Sequence, residues 1–181
     1  NIYNALASIA VADILNIPIE TIINSLQRFK GTHRRLELKG YVNGIRIIDD
    51  YAHHPTEIKA SLSALRNTTK NKIWCIFQPH TYTRTKMLLD EFAKSFSNAD
   101  KVIIPDIYAA REKDNGIVHS TDLVKALIDN GVDAEYISSF ENIENYILNN
   151  ARKGDVVVTM GAGNVYKIGE NLLESNKKEA I

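Results

Sequence analysis

Short apolar runs at residues 73–77, 102–104, 134–137 and 156–159 alternate with stretches of helical spacing, and that alternation leaves few folds open. The helical spacing falls at Leu88, Phe92 and Phe96, at Leu123, Leu127 and Ile128, and at Ile143, Tyr146 and Ile147. Strands that recur through an intervening helix run parallel, and a parallel sheet has to be covered on both faces. Upstream, residues 36–42 alternate, and Asn43-Gly44 is the pair that a two-residue hairpin turn demands, so residues 36–50 read as an antiparallel hairpin. The predicted fold is α/β: a mostly parallel six-stranded sheet with one antiparallel edge strand and helices on both faces. Ser120 and Ser139 are read as helix N-caps, Gly131 as a helix stop, and Val165, Ile168 and Leu172 as the apolar side of a final helix.

Two helices precede this domain. Ile2, Leu6, Ile9 and Leu15 with interspersed alanines fit a buried helix that Asn16-Ile17-Pro18 interrupts. Ile19, Ile22, Ile23, Leu26 and Phe29 form the stripe of a second, with Gly31 as its expected C-terminal cap and residues 30–34 as a linker. Two helices have nowhere to put two such stripes. Residues 1–31 are therefore expected to end a preceding domain, with residues 32–181 forming the α/β domain. The chain also opens without methionine inside a helical pattern, which reads as a fragment of something longer.

Charge and cysteine usage exclude several classes. Twenty-two basic and 22 acidic residues cancel, so there is no electrostatic footprint for nucleic acid or an anionic membrane surface, and any phosphate is met locally. No apolar run approaches the roughly 20 residues that span a bilayer. The lone Cys75 lies in an apolar run, which leaves no intramolecular disulfide and no thiolate zinc site, and His53 and His54 are adjacent instead of one helical turn apart. A cytoplasmic location follows as the default, with no metal site in this chain.

The polar residues collect where strands end. Asp49-Asp50-Tyr51-Ala52-His53-His54-Pro55-Thr56-Glu57 follows an apolar run and opens a helix at Pro55. Gln78-Pro79-His80-Thr81-Tyr82-Thr83-Arg84-Thr85, Pro105-Asp106-Ile107-Tyr108-Ala109-Ala110-Arg111-Glu112 and Met160-Gly161-Ala162-Gly163-Asn164 follow three of the other strands. Ligands of open α/β sheets bind beyond the carboxyl ends of the strands. Arginine offers a planar fork for carboxylate or phosphate, and histidine exchanges protons near neutral pH, so together the clusters describe an anion-handling cleft. Arg84 falls in the first turn of its helix, where the macrodipole disfavours a cation, which favours a functional role over a solvated one. His54 reads as a residue that caps the helix or packs, Asp49 as either a strand end or a site residue, and Tyr108 and Arg111 as surface loop or site in equal measure. Gly161-Ala162-Gly163 is not a dinucleotide fingerprint, because the third glycine would fall at Tyr166 and no acid lies about 20 residues on; tight-turn packing is the reading.

These motifs, with Asn1 to Ala7, Arg34-Arg35-Leu36-Glu37 and Gly161-Ala162-Gly163-Asn164, closely resemble the C-terminal domain of the Mur ligases of peptidoglycan synthesis, and the resemblance covers the whole chain. It implies a Rossmann-like domain that closes over substrate and ATP, preceded by the last helices of a central ATPase domain. No Gly-x-x-x-x-Gly-Lys-[Ser/Thr] loop occurs here, so the phosphate cradle and the main Mg2+ ligands are expected upstream of Asn1. The implied reaction is ATP-dependent amide formation between L-alanine and UDP-N-acetylmuramate through an acyl phosphate, with the fragment alone inactive. Carried over by motif, Asn1 and Asn4 would hold the adenine, Arg35 would offset phosphate charge, and Asp50 would reach ATP. Tyr51, His53, His80 and Arg84 would form the substrate pocket. Arg84 would clamp the carboxylate, and His53 or His80 would orient the amine or take its proton. The resemblance departs at Thr81, where some relatives carry arginine, which bears on the number of cations at the carboxylate. A murein tripeptide recycling ligase shares the His-His-Pro signature, and a non-catalytic Rossmann-like nucleotide-binding module is the alternative of another class.

Overall fold

The computed structural model describes residues 2–179 and divides into two compact units, Asn1–Thr32 and His33–Ile181. In the first, α1 (Ile2–Ile14) turns into α2 (Ile19–Arg28) through Asn16, whose φ of 55° places it in the left-handed region that asparagine tolerates. The expected burial of α1 is not met: Ile2, Leu6, Val11 and Ile14 are exposed, and of α2 only Ile22 is buried. Within this unit two helices are too few to bury two stripes. Nor does Gly31 cap α2, because the helix already ends at Arg28 and Phe29 leaves it extended.

The second unit is one six-stranded sheet in the order β1-β2-β6-β3-β4-β5. Strands β1 (Glu37–Val42) and β2 (Ile45–Asp50) form the hairpin; φ is positive at both Asn43 (50°) and Gly44 (79°), as its two-residue turn requires. All other pairings are parallel, among β2, β6 (Val156–Met160), β3 (Ile73–Phe77), β4 (Lys101–Ile104) and β5 (Ala134–Tyr136).

Alternate residues of each strand feed opposite cores. Cys75, Phe77, Val102 and Val158 pack beneath α3 (Pro55–Arg66), α5 (Leu89–Ala93) and α6 (Ser120–Asp129), whereas Trp74, Ile76, Ile103 and Val157 pack beneath α7 (Phe140–Asn150) and α8 (Tyr166–Glu179). The helix expected around Leu88, Phe92 and Phe96 is broken into α4 (Tyr82–Met87) and α5 at Leu88. Phe92 and Phe96 still bury fully, each ring 5.3 Å from Phe77. Ser139 caps α7 and Gly131 (φ 78°) ends α6 as expected, but the cap of α6 is His119, in a reciprocal box with Asp122. Ser120 lies one residue inside, buried, donating to the Pro105 carbonyl at 2.6 Å.

The order places the functional loops. From β3 the chain steps outward through β4 to β5, then returns across the far face so that β6 inserts between β2 and β3. The loops leaving β2, β3 and β6 therefore meet at a reversal of winding direction, where open sheets leave a crevice.

Candidate functional site

The turn after β2 is braced by Asp50. Its Oδ1 accepts from Ala52 N at 2.7 Å, and its Oδ2 from Leu36 N at 2.9 Å and Ser61 Oγ at 3.1 Å. Burial pushes its carboxyl up, against the opposing pull of those bonds. Asp50 thus holds the β2–α3 loop, with three of the roughly four acceptor positions of a carboxylate taken. Beyond it, His54 Nδ1 accepts from Thr56 N at 3.3 Å, as a cap. His53 N donates to Glu57 Oε2 at 3.1 Å. Burial, the largest influence on Glu57, raises its pKa, but the bonds to His53 and the charges of His53 and Arg35 together hold it below the usual carboxylate range.

That loop begins a run of rings drawn from three separate strand ends. The Tyr51 and His53 centroids are 5.5 Å apart, those of His53 and His80 6.4 Å, and those of His80 and Tyr108 5.5 Å with the last pair stacked. The backbone fixes the far end: Thr81 N donates to Tyr108 O and Tyr108 N to Pro79 O, both at 2.9 Å. Arg84, on α4, is half-buried and has no ion pair among the described residues. Its helix starts from Thr81, a β-branched residue held at φ 66°, the strained kind of backbone that collects at functional sites.

Burial lowers the pKa of His80, and the charges of Arg84 and His53 lower it further against a weaker pull from Glu112. The imidazole is thus neutral at physiological pH and fit to accept a proton. Replacing Arg84 by glutamine removes one of these causes and is expected to raise the His80 pKa, read by NMR titration of the ring. An unmoved titration would separate guanidinium from imidazole.

Of the other sequence-predicted residues, Arg35 is exposed, 3.7 Å from Glu57 and 5.9 Å from the Tyr51 ring, and retains donors for an anion. Asn4 is exposed on α1, and Asn1 lies outside the described residues. Sequence reasoning missed Arg34. Its Nε donates to Asp49 Oδ2 at 2.7 Å, its Nη2 and Nη1 to the carbonyls of Gly161 and Gly163 at 2.8 and 3.3 Å, and its guanidinium lies over the rings of both Tyr51 and Tyr166. Asp49 is no solvated strand end; it is 1% exposed and also accepts from Thr159 Oγ1 at 2.7 Å. The adjacent Arg34-Arg35 pair was the visible signal, but nothing local says which of the two turns inward.

Gly161 and Gly163 let the last loop close against Gln78. At Gly161 (φ 144°) a Cβ would lie 2.8 Å from the Gln78 carbonyl oxygen, so Gly161→Ala combines backbone strain with a clash. We expect it to cost about 1–3 kcal/mol in urea unfolding; a change of only a few tenths would show that the loop yields. Among the described residues, no cluster of three or more His, Cys, Asp or Glu side chains can hold a metal ion.

The winding reversal of this open, mostly parallel sheet gathers the rings of Tyr51, His53, His80 and Tyr108 on one rim, with Arg84 close enough to bear on His80. The chain belongs to the Mur ligase family: the family described as "Mur ligase, glutamate ligase domain" matches residues 34–163. It is 56% identical over 178 residues to the UDP-N-acetylmuramate–L-alanine ligase of Caldanaerobacter subterraneus subsp. tengcongensis, covering 98% of this chain and 39% of that protein. To the enzyme of the same name from Acetivibrio thermocellus it is 55% identical over 181 residues, covering 100% of this chain and 39% of the relative. Among solved structures, the UDP-N-acetylmuramate-alanine ligase of Thermotoga maritima superposes with a TM-score of 0.81 at 28% identity, over 99% of this chain and 38% of that one. A murein peptide ligase from Psychrobacter arcticus gives 0.70 at 28% identity, over 96% and 36%. The chain thus spans 39% of the length of these curated relatives.

Proposed function

We propose that this chain is the C-terminal, substrate- and ATP-closing part of a cytoplasmic ATP-dependent carboxylate–amine ligase that joins L-alanine to UDP-N-acetylmuramate in peptidoglycan synthesis. Residues 1–31 are the last helices of its central ATPase domain, and residues 32–181 the closing domain. The observation that carries the reading is the Tyr51–His53–His80 rim with Arg84 beside it, in a chain 56% identical to a ligase of that name. No helix among the described residues is long and apolar enough to cross a membrane.

ATP supplies the phosphoryl group that activates the muramoyl carboxylate. This chain's residues position and neutralise. Arg84 clamps a carboxylate with its planar fork, Arg35 offsets phosphate charge, and Asn1 and Asn4 meet the adenine. An alanine ammonium must lose a proton before it attacks, and His80, held neutral, is the better-placed acceptor; Tyr51 and His53 wall the pocket. Asp50 contributes by fixing the loop that carries them. Mg2+ finds no ligand cluster among the described residues, and these roles require none from this chain.

The test is phosphate release by the intact protein supplied with ATP, UDP-N-acetylmuramate and either L-alanine or murein tripeptide. Turnover with alanine is the expected result. Turnover with tripeptide alone would transfer the chain to the recycling ligases, whose likeness in structure motivates that arm. Ligase turnover by the isolated 181-residue chain would overturn the division of labour.

A further inference from the structure

An imidazole that handles a proton is ordinarily oriented by a hydrogen bond at its second nitrogen. His80 has none: its Nδ1 is buried without a partner, and no protein group among the described residues bonds its Nε2. Its ring must be held by packing, and the group that packs on it flat is Tyr108, with planes 26° apart. The stack is anchored at both ends. Beneath it, Tyr108 and His80 are joined by a backbone bridge, so neither main chain can slide against the other. Behind it, the Tyr108 side chain rests on Gly163, where a Cβ would lie 2.7 Å from Tyr108 Cγ and 2.5 Å from the Oε1 of the buried Gln78. Gly163 is in turn held from its other side by Arg34 through its carbonyl oxygen.

We propose that Tyr108 is a positioning residue for the ligase reaction: its ring face, backed by Gly163, fixes the plane of the His80 imidazole so that Nε2 is the nitrogen turned to substrate. The inference rests on the role given to His80 above. It makes a demand that a general structural role does not, because it needs the ring and not the hydroxyl. It also requires that Gly163 stay without a side chain, although it has no unusual backbone angle to explain a glycine there.

The experiment compares Tyr108→Phe, Tyr108→Ala and Gly163→Ala in the intact protein, reading kcat, the KM for each substrate and the NMR titration of His80. Tyr108→Phe should leave all three within about twofold of the parent. Tyr108→Ala should lower kcat by about ten- to a hundredfold, the usual penalty for misplacing a reacting group, with the KM for ATP unchanged. It should also raise the His80 pKa toward its ordinary value as burial is lost. Gly163→Ala, which removes no side chain of the rim but pushes on the Tyr108 ring, should reproduce the loss of kcat in smaller measure. An unchanged kcat in Tyr108→Ala overturns the proposal even if the titration moves, and so does a Phe variant as impaired as the Ala variant. If the protein proves not to be a ligase, the function proposed above fails separately. The His80 titration in Tyr108→Ala then decides whether the stack holds the ring.

Discussion

Replacing Arg84 by alanine in the intact protein is expected to lower activity with L-alanine at least tenfold. The guanidinium is half-buried beside His80 and has no carboxylate to satisfy it among the described residues. Contrary to the first-turn expectation from the sequence, the macrodipole does not single it out, because α4 is so short that Arg84 also falls in its last turn. Such a group is free to meet an anion. Losing the charged partner of a desolvated anion costs about 2–5 kcal/mol, and about 1.4 kcal/mol already corresponds to a factor of ten. The loss should show in kcat/KM for the amino acid, with the KM for ATP spared. Arg84→Lys should recover only part, because an ammonium cannot reproduce a two-point fork. Unchanged alanine kinetics in Arg84→Ala would remove Arg84 from the pocket. The alanine substitution also strips a positive charge from His80, so the pH optimum of the residual activity should move upward with the His80 pKa.

What was legible in the sequence tracks how local each determinant is. The hairpin announces itself because Asn43-Gly44 supplies two positive φ angles in adjacent residues. The central strands are legible to within a residue or two because each is a short run buried on both faces, as at 73–77 and 156–160. The rim was legible as a set of motifs, and the sheet order is what brings three of them together. Errors arise where the deciding partner is far along the chain. Ser120 has the composition of a cap, yet the Pro105 carbonyl draws it inward and the cap passes to His119. Arg34 and Arg35 are indistinguishable locally; the partners that select Arg34 are 15, 127 and 129 residues away. The bonds from Leu36 and Ser61 that brace Asp50 are likewise invisible locally. The α1 stripe reads as buried from periodicity alone, but periodicity specifies a face and not what covers it.

Arg34 carries the largest expected effect on stability. It joins the entry to β1, the end of β2 and the loop after β6 in one group, with its side chain 13% exposed and that of Asp49 2% exposed. Removing one member of a buried ion pair leaves the other charged and unpaired, which costs about 3–5 kcal/mol, a large part of the roughly 5–15 kcal/mol that holds a typical domain folded. We therefore expect Arg34→Ala to lose about that much in urea unfolding. The fluorescence of Trp74, the sole tryptophan, is buried against the second core and reports the α/β unit. The cost should not be read as the worth of the pair. Replacing both partners, as Arg34→Met with Asp49→Leu, should recover most of it, since two apolar groups leave no charge stranded. What the double variant cannot restore is the hold on the Gly161 and Gly163 carbonyls, so it should refold well and still lose activity as the loop behind Tyr108 loosens. A loss below about 1 kcal/mol in Arg34→Ala, within the range of an exposed pair, would show that water reaches Asp49 and that the loops after β2 and β6 are held by something else.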